Sequence, residues 1–134
     1  MSDASFRCLL ITPTERMLDV RVTYADVPMH DGQRGVMPRT APIVGKLGPG
    51  ELRLELAEGG EQSYYIEGGF MQHVDGTLTV LSTTAEEAAS IDAGEARAAL
   101  AEANARTSTD TDEMDRITND RRKATVRVAL AGKA

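Results

Sequence analysis

The sequence contains one cysteine and no tryptophan, and only 4% of its residues are aromatic. A single cysteine, Cys8, cannot form a disulfide within the chain, which favours a reducing compartment. No stretch approaches the roughly 18 consecutive apolar residues of a transmembrane helix. The N-terminal MSDASFRCLL also lacks the basic and apolar regions of a signal peptide. These absences predict a soluble cytoplasmic protein with no direct membrane insertion, and its 41% of hydrophobic residues suffice for a core.

An excess of positive charge is also missing, since the formal net charge is −6. Binding to phosphate backbones requires clustered Lys and Arg, so nucleic acid is not an expected partner. The charge is nevertheless unevenly placed. Residues 86–115 carry nine acids and two bases, whereas residues 116–134 carry one acid and six bases. The basic segment is either a solvated helix face or a segment that binds an acidic partner.

Groups that could perform catalysis or bind a metal are scarce and scattered. The two histidines, His30 and His73, fall in a predicted turn and at a predicted strand end, where surface or structural roles are expected. Cys8 lies in an apolar stretch that is typical of a core residue. No Cys and His pair has metal-ligand spacing, and the acids of residues 110–115 lack the glycine and terminal glutamate of a calcium loop. We therefore predict no catalytic residue, no cofactor and no metal site.

The first part of the chain, residues 5–84, has the alternating pattern of β-strands. In DVRVTYADVP, the pattern predicts that Val20, Val22 and Tyr24 point inward and that Ala25 points outward. In ELRLELAE, three leucines share one face and charged residues share the other. Many short strands, separated by turns about every ten residues, predict a β-sandwich or barrel.

Glycine-containing turns separate the predicted strands. Asp75-Gly76 is a strong hairpin signal, because a type I′ turn requires positive φ at both central positions. Gly68-Gly69 is interpreted as a turn signal and as tight strand-to-strand geometry rather than a phosphate-binding loop. The segment DGQRGVMPRTAP, residues 31–42, contains glycines at 32 and 35 that we expect to supply turns. We predict that this segment combines a fold corner with an outward-facing surface.

After residue 85 the pattern changes to that of helices. Asp92 and Glu95 have capping-box spacing at the start of an alanine-rich helix. Asp110 and Glu113 repeat that spacing and begin a second helix, which extends to about residue 130.

The second helix has a broken apolar stripe. Its apolar positions are Met114, Ile117, Ala124 and Val128, and Arg121 occupies the missing stripe position. Such a helix buries little area, so it should open easily or dock elsewhere. We predict a β-sandwich or barrel domain over residues 1–86, followed by an antiparallel α-helical hairpin over residues 87–134.

Four motifs, in order, resemble the epsilon subunit of the bacterial F-type ATP synthase. ITPTER resembles the opening strand and turn of that family, and VPMHDGQRGVMPRTAP resembles its signature loop. KLGPGELRL and IEGGFMQHVDGTLTVL resemble the two stretches that follow. The resemblance covers the first predicted domain almost continuously, whereas the helical part matches mainly in length and character.

The resemblance implies a non-catalytic rotor subunit in the central stalk of a proton-translocating synthase. Such a subunit contacts the gamma subunit and the loops of the c-ring and couples rotation of the ring to the gamma shaft. Its helices can extend to the catalytic beta and alpha subunits and restrain ATP hydrolysis. The expected location is the cytoplasmic face of the inner or plasma membrane, as a peripheral subunit.

The resemblance also implies two sets of site residues. The interface with the c-ring and gamma would comprise Gln33, Arg34, Met37, Arg39 and Thr40. The inhibitory contacts would comprise Arg116, Arg121, Arg122, Lys123 and Arg127.

The sequence departs from the family pattern at several of these positions. Gln33 replaces an acid, Arg39 a glycine and Thr40 a histidine. In the stretch IDAGEA, Glu95 occupies the place of the arginine in the family's ATP-binding motif. Because a carboxylate repels phosphate, we expect no tight ATP binding.

Two other classes of function explain the sequence less well. A β-sandwich module that binds carbohydrate or peptide, unrelated to the synthase, would need exposed aromatic rings for stacking. The few aromatic residues lie mostly in strand patterns, and that interpretation leaves the helical tail unexplained. A small hydrolase would lack a nucleophile and a base.

Overall fold

The computed structural model describes residues 5–131, which form seven strands followed by two helices. The strands are β1 (Phe6–Ile11), β2 (Arg16–Met29), β3 (Gly32–Val36), β4 (Ile43–Lys46), β5 (Gly50–Leu56), β6 (Glu61–Val74) and β7 (Thr77–Glu87). A short 3-10 turn at Ala88–Ser90 leads into α1 (Ala93–Ala105) and α2 (Thr111–Ala131). This confirms the predicted β-sandwich followed by two helices. The division into domains at residue 86 stays a prediction, and residues 1–4 and 132–134 of those domains lie outside the described residues.

The sheet closes on itself through β1. The strand order is β1-β7-β6-β5-β2-β3, with β4 paired to β6. β1 pairs antiparallel with β2 and parallel with β7, which joins the two sides of the sheet. The enclosed core is aliphatic for the most part, as expected for a sequence with few aromatic residues. Its fully buried members include Cys8, Leu10, Val22, Val27, Val36, Leu52, Leu54, Ile66, Leu78 and Val80.

The alternation predicted for β2 is wrong after Val22. Val22 lies opposite Leu56, but Tyr24 lies opposite Glu55, so one extra residue is inserted in β2 at this point. This β-bulge exchanges the two faces of the strand. Ala25 is consequently buried, while Tyr24 is partly exposed on the outer face.

The Gly68-Gly69 pair lies inside β6 and does not separate two strands. Both glycines have positive φ, at 71° and 97°, although the register with β7 is the same on either side of them. The inward-facing set of β6 changes here, since Ile66 is buried before the pair and Met71 after it. The interpretation of this pair as a turn was therefore wrong, whereas the expected close contact between neighbouring strands is confirmed. A β-carbon on Gly69 would lie 1.9 Å from the carbonyl oxygen of Leu81.

The predicted Asp75-Gly76 hairpin is confirmed. Val74 pairs with Thr77, and the two turn residues have φ of 51° and 75°. Positive φ at both positions is what a type I′ turn requires.

Both helices form where the capping pattern placed them. The Asp92 carboxylate accepts a hydrogen bond of 2.9 Å from the Glu95 backbone N–H, which satisfies one free donor at the start of α1. At the other end of α1, Arg106 forms an ion pair with Asp120 of α2 at 2.7 Å. This ion pair joins the two helices across the connecting loop.

The apolar stripe of α2 is partly different from the prediction. Ile117 and Ala124 are buried as expected, but the Met114 side chain is 49% exposed. Leu130 is buried instead and packs with Tyr65 of β6. The helix thus rests its C-terminal half on the outer face of the sheet.

Candidate functional site

The segment predicted as an interface begins on an edge strand. β3 pairs with β2 and is the last strand in the sheet order, so Gln33 and Arg34 lie at the edge and are exposed. The Gln33 side-chain amide donates a hydrogen bond of 3.2 Å to the carbonyl oxygen of Glu51. Gln33 is therefore held in place by β5, while Arg34 presents its charge to solvent.

A turn after β3 holds the remaining predicted residues. The Met37 backbone N–H donates to the Thr40 hydroxyl at 2.9 Å, and the Thr40 N–H donates to the Met37 carbonyl at 3.1 Å. Arg39 has a φ of 72°, a left-handed conformation that favours glycine. The five predicted residues lie along one stretch at the edge of the sheet, the edge surface, defined as Gln33, Arg34, Met37, Arg39 and Thr40; the first four are exposed and Thr40 is partly buried. Thr40 also fixes the turn, so its hydroxyl is already engaged.

The two glycines of this segment act differently from each other. Gly32 has a positive φ of 131° at the turn between β2 and β3. Gly35 lies within β3 and supplies no turn, contrary to the expectation. A β-carbon on Gly35 would lie 2.4 Å from the Tyr24 hydroxyl oxygen, so the glycine makes room for that ring.

An exposed apolar surface on the sandwich was missed by sequence reasoning. Val44, Phe70 and Leu81 have exposed fractions of 73%, 58% and 50%. They lie on adjacent strands, since β4 and β7 both pair with β6 and Phe70 lies opposite Leu81. We call these three side chains the outer apolar patch. A cluster of large exposed apolar side chains on a small protein is typical of a binding surface.

Two of the five predicted inhibitory residues face the sandwich. The Lys123 ammonium lies 3.5 Å from the Glu67 carboxylate, and the Arg127 guanidinium lies 3.1 Å from the Glu86 carboxylate. Arg127 also lies over the Tyr65 ring, 6.0 Å from its centroid. We call Tyr65, Glu67, Glu86, Lys123 and Arg127 the α2 latch.

Tyr65 is the buried centre of this latch. Its hydroxyl donates a hydrogen bond to the Glu67 carboxylate. Burial raises the pKa of Tyr65, and the hydrogen bond to Glu67 raises it further. The phenol thus stays a neutral donor throughout the physiological pH range.

The other three predicted basic residues lie elsewhere on α2. Arg116 and Arg122 are exposed, and Arg121 is partly buried. Arg122 lines a cavity of about 500 Å³ between α2 and the sheet, together with Gln33 of the edge surface. The predicted basic residues therefore do not form one continuous face in this docked arrangement.

Two of the three candidate reactive groups, Cys8 and His73, are buried in the sandwich. Cys8 is fully buried, and burial raises the pKa of its thiol to about 12. His73 is also buried, and its ring packs edge-on against Phe6 at 5.5 Å. His30 is exposed at the turn before β3. Within residues 5–131, no group of three or more potential metal ligands is found.

The start of α1 carries Glu95 at the position where the resemblance implies an arginine. The Asp92 carboxylate serves as the helix cap, and Glu95 is exposed one turn later.

No helix among the described residues is long and apolar enough to cross a membrane.

These features define a class of protein: a small interaction subunit, built as a closed β-sandwich with a charged helical hairpin packed on it. The family model described as ATP synthase, Delta/Epsilon chain, beta-sandwich domain, matches residues 5–88. The chain belongs to this family, whose epsilon chains are non-catalytic stalk subunits of the synthase.

Relatives and solved structures agree with this assignment. The chain is 40% identical over 99 residues to the ATP synthase epsilon chain of Rhodopirellula baltica, covering 74% of this chain and 77% of that protein. It is 37% identical over 128 residues to the epsilon chain of Anaeromyxobacter sp. strain K, covering 92% and 96%.

A chain in the Euglena gracilis mitochondrial ATP synthase structure matches with a TM-score of 0.75 and 26% identity, covering 93% of this chain and 76% of that one. A chain in the Tetrahymena thermophila central stalk and c-ring structure has a TM-score of 0.62 at 20% identity, covering 96% of each chain, and shows the fold alone. The resemblance inferred from the four motifs is thus confirmed, and the carbohydrate- or peptide-binding alternative finds no support.

Proposed function

We propose that this chain is a rotor subunit of the central stalk of an F-type ATP synthase and couples rotation of the c-ring to the gamma shaft. The observation that carries the proposal is the family match over residues 5–88, which includes both exposed surfaces of the sandwich. The ring is driven by proton flow, and the subunit is held peripherally at the cytoplasmic face of the membrane by its partners.

The outer apolar patch is the proposed contact with gamma. Val44, Phe70 and Leu81 lie outside the sandwich core, and none of them belongs to the apolar cluster beneath α2. Permanent interfaces are more apolar than the general protein surface. A shaft that transmits torque needs such a permanent interface, and this patch supplies its apolar side chains.

The edge surface is the proposed contact with the c-ring loops and the adjoining part of gamma. Gln33 and Arg34 project from the edge of the sheet, and the turn with Met37 and Arg39 connects that edge to β4. β4 carries Val44 of the outer apolar patch, so the two surfaces are continuous along the chain. With Gln33 and Arg39 replacing an acid and a glycine, we expect complementary changes in the partner subunits.

The helical hairpin is the proposed restraint on ATP hydrolysis. In an extended arrangement, its basic residues would contact acidic loops of the catalytic beta and alpha subunits, as proposed for Arg116, Arg121, Arg122, Lys123 and Arg127. The hairpin acts without bound ATP, because Glu95, at the position of the motif arginine, disfavours a phosphate group.

Co-purification tests the contact with gamma. In the assembled complex, Phe70→Asp and Leu81→Asp should weaken retention of gamma, because each places a charge in an apolar interface. Met114→Asp is the matched control, since Met114 is also an exposed large apolar residue but lies on α2. Equal retention of gamma by all three variants would contradict the proposed contact.

Truncation tests the restraint on hydrolysis. A chain ending at Glu87 keeps all seven strands and removes both helices. The synthase assembled with it should hydrolyse ATP faster than the complex with the full chain. An unchanged rate in a fully assembled complex would refute the inhibitory role.

A further inference from the structure

Some bases of the sandwich have no partner in an otherwise acidic part of the chain. Residues 5–88 contain twelve acids and seven bases, so carboxylates that could pair with a base are plentiful. The bases that form an ion pair or a side-chain hydrogen bond are Arg7, Arg16, Arg21 and Arg53. The bases that form neither within residues 5–131 are Arg34, Arg39 and Lys46. All three lie in the stretch from β3 to β4, where their charges remain available to an acidic partner.

Arg39 occupies a backbone position that suits it poorly. Its φ of 72° is in the left-handed region, which is unfavourable for a residue with a β-carbon. The resemblance implies a glycine here, which adopts this φ without strain. The hydrogen bonds that close the turn are made by Met37 and Thr40, so the turn does not depend on the Arg39 side chain. A strained residue whose side chain does not hold the turn indicates a functional role for that side chain.

The other polar side chains of the edge surface are already engaged. The Gln33 amide donates to a carbonyl oxygen of β5, and the Thr40 hydroxyl accepts the Met37 N–H. Recognition by charge is therefore left to Arg34 and Arg39, which are both exposed. A guanidinium group presents its N–H donors in a planar fork that matches the two oxygens of a carboxylate.

We propose that Arg34 and Arg39 select a partner loop that carries carboxylates, and that Arg39 is the specificity-determining residue of this contact. The inference rests on the proposed function, which makes this partner the loop of the c-ring. A ring loop without acids would bury the two guanidinium groups unpaired, which disfavours binding. The edge surface thus matches the chain to a ring by charge. Lys46 is not part of this contact, because it lies opposite Phe70 of the outer apolar patch.

Binding of the full chain to a purified complex of gamma and the c-ring from the same synthase tests the proposal. Arg34→Gln and Arg39→Gln should each raise the Kd about 10- to 100-fold, because each removes a charged hydrogen-bond donor. Arg97→Gln is the matched control and should leave the Kd unchanged. Arg97 is an exposed arginine of α1 that, like the other two, forms no ion pair within residues 5–131.

Two further variants separate the guanidinium group from its charge and from the fold. Arg39→Lys keeps the charge but loses the planar fork, so its Kd should lie between those of the unmodified chain and Arg39→Gln. Arg39→Gly relieves the left-handed strain, so the isolated chain should unfold at an equal or higher urea concentration. Its Kd should nevertheless rise as much as that of Arg39→Gln. A weaker binding of Arg39→Gly therefore cannot come from a loss of stability.

Charge reversal identifies the chemical group on the partner. Arg39→Glu should bind more weakly than Arg39→Gln, and a ring whose loop acids are replaced by lysine should restore its binding. Vesicles of phosphatidylglycerol without a ring should not bind the chain. Binding to these vesicles that Arg39→Gln abolishes would overturn the proposal and indicate a lipid headgroup as the partner.

The proposed function and this inference fail in different outcomes. If the unmodified chain does not bind the complex of gamma and the ring, the proposed function is wrong. If it binds, but Arg34→Gln and Arg39→Gln bind as tightly as Arg97→Gln, the selection by charge is overturned and the stalk function stands.

Discussion

Replacing Gly69 by alanine would place a methyl group 1.9 Å from the carbonyl oxygen of Leu81 and 3.2 Å from the Ser82 α-carbon. Both neighbours are backbone atoms of β7, so neither can rotate away as a side chain would. The residue would also keep a φ of 97°, which L-amino acids rarely adopt. The substitution thus combines a steric clash with backbone strain at the point where β6 changes its inward face.

The two costs can be given separate magnitudes. Positive φ costs about 1–2 kcal/mol for a residue with a β-carbon. Forcing an extra carbon into a packed site costs about 1–3 kcal/mol. The lower entropy of the unfolded alanine chain offsets about 0.4–1 kcal/mol. Gly69→Ala should therefore reduce the free energy of unfolding by about 1–5 kcal/mol.

Urea unfolding followed by circular dichroism measures this loss, and Gly60→Ala separates the two costs. Gly60 has a φ of 90°, but a β-carbon there would have no heavy atom within 4 Å. Gly60→Ala should thus lose only about 0–1.6 kcal/mol, from strain alone. If the two variants lose equal stability, the clash with the Leu81 carbonyl is not what requires glycine at position 69.

Three further predictions concern single side chains. The Cys8 thiol, whose pKa burial raises to about 12, should react with thiol reagents only after unfolding, as measured by the rate of labelling in native and denatured chain. Asp92→Ala should destabilise α1 by about 1 kcal/mol through loss of the helix cap, seen as faster hydrogen exchange in its first turn. The hydrogen bond from Arg7 lowers the pKa of Asp19, so this pair stabilises the fold above the unfolded carboxyl pKa and ceases to do so as the pH falls through the folded value. Asp19→Asn should therefore lower the unfolding midpoint near pH 7, and this effect should shrink as the pH falls through the folded pKa of Asp19.

Local patterns were enough to predict much of this fold. The alternation of Leu52 and Leu54, the Asp75-Gly76 turn and the Asp92 cap each depend on neighbours within a few residues. In each case the same short stretch determines the structure, so sequence reasoning could find it.

The two errors in the long strands share one cause, which is a change of inward face along the strand. The bulge before Tyr24 and the kink at Gly68-Gly69 both exchange the two faces, and only the pairing with distant strands determines where this happens. Phe70 and Leu81 therefore looked like ordinary strand residues in the sequence, although they form the outer apolar patch.

The α2 latch was hidden for a related reason. Lys123 and Arg127 were recognisable as part of a basic segment, but Glu67 and Glu86 lie in strands far away along the chain. Nothing in the local sequence of β6 or β7 indicates which helix residue these acids meet. Only the docking of α2 on the outer face of the sheet determines which helix residues contact these two acids.

The position of β1 also has a consequence for how the protein is made. β1 lies parallel to β7, with Cys8 opposite Leu78, so the sheet cannot close until the last of the seven strands has been synthesised. At about 5–20 residues per second, the ribosome needs several seconds to synthesise the chain between them. During that time β1 can pair with β2, but its other edge stays open and able to pair with another nascent chain. The closed sandwich is thus completed late in translation, and α2 of the helical hairpin can dock on the sheet only afterwards.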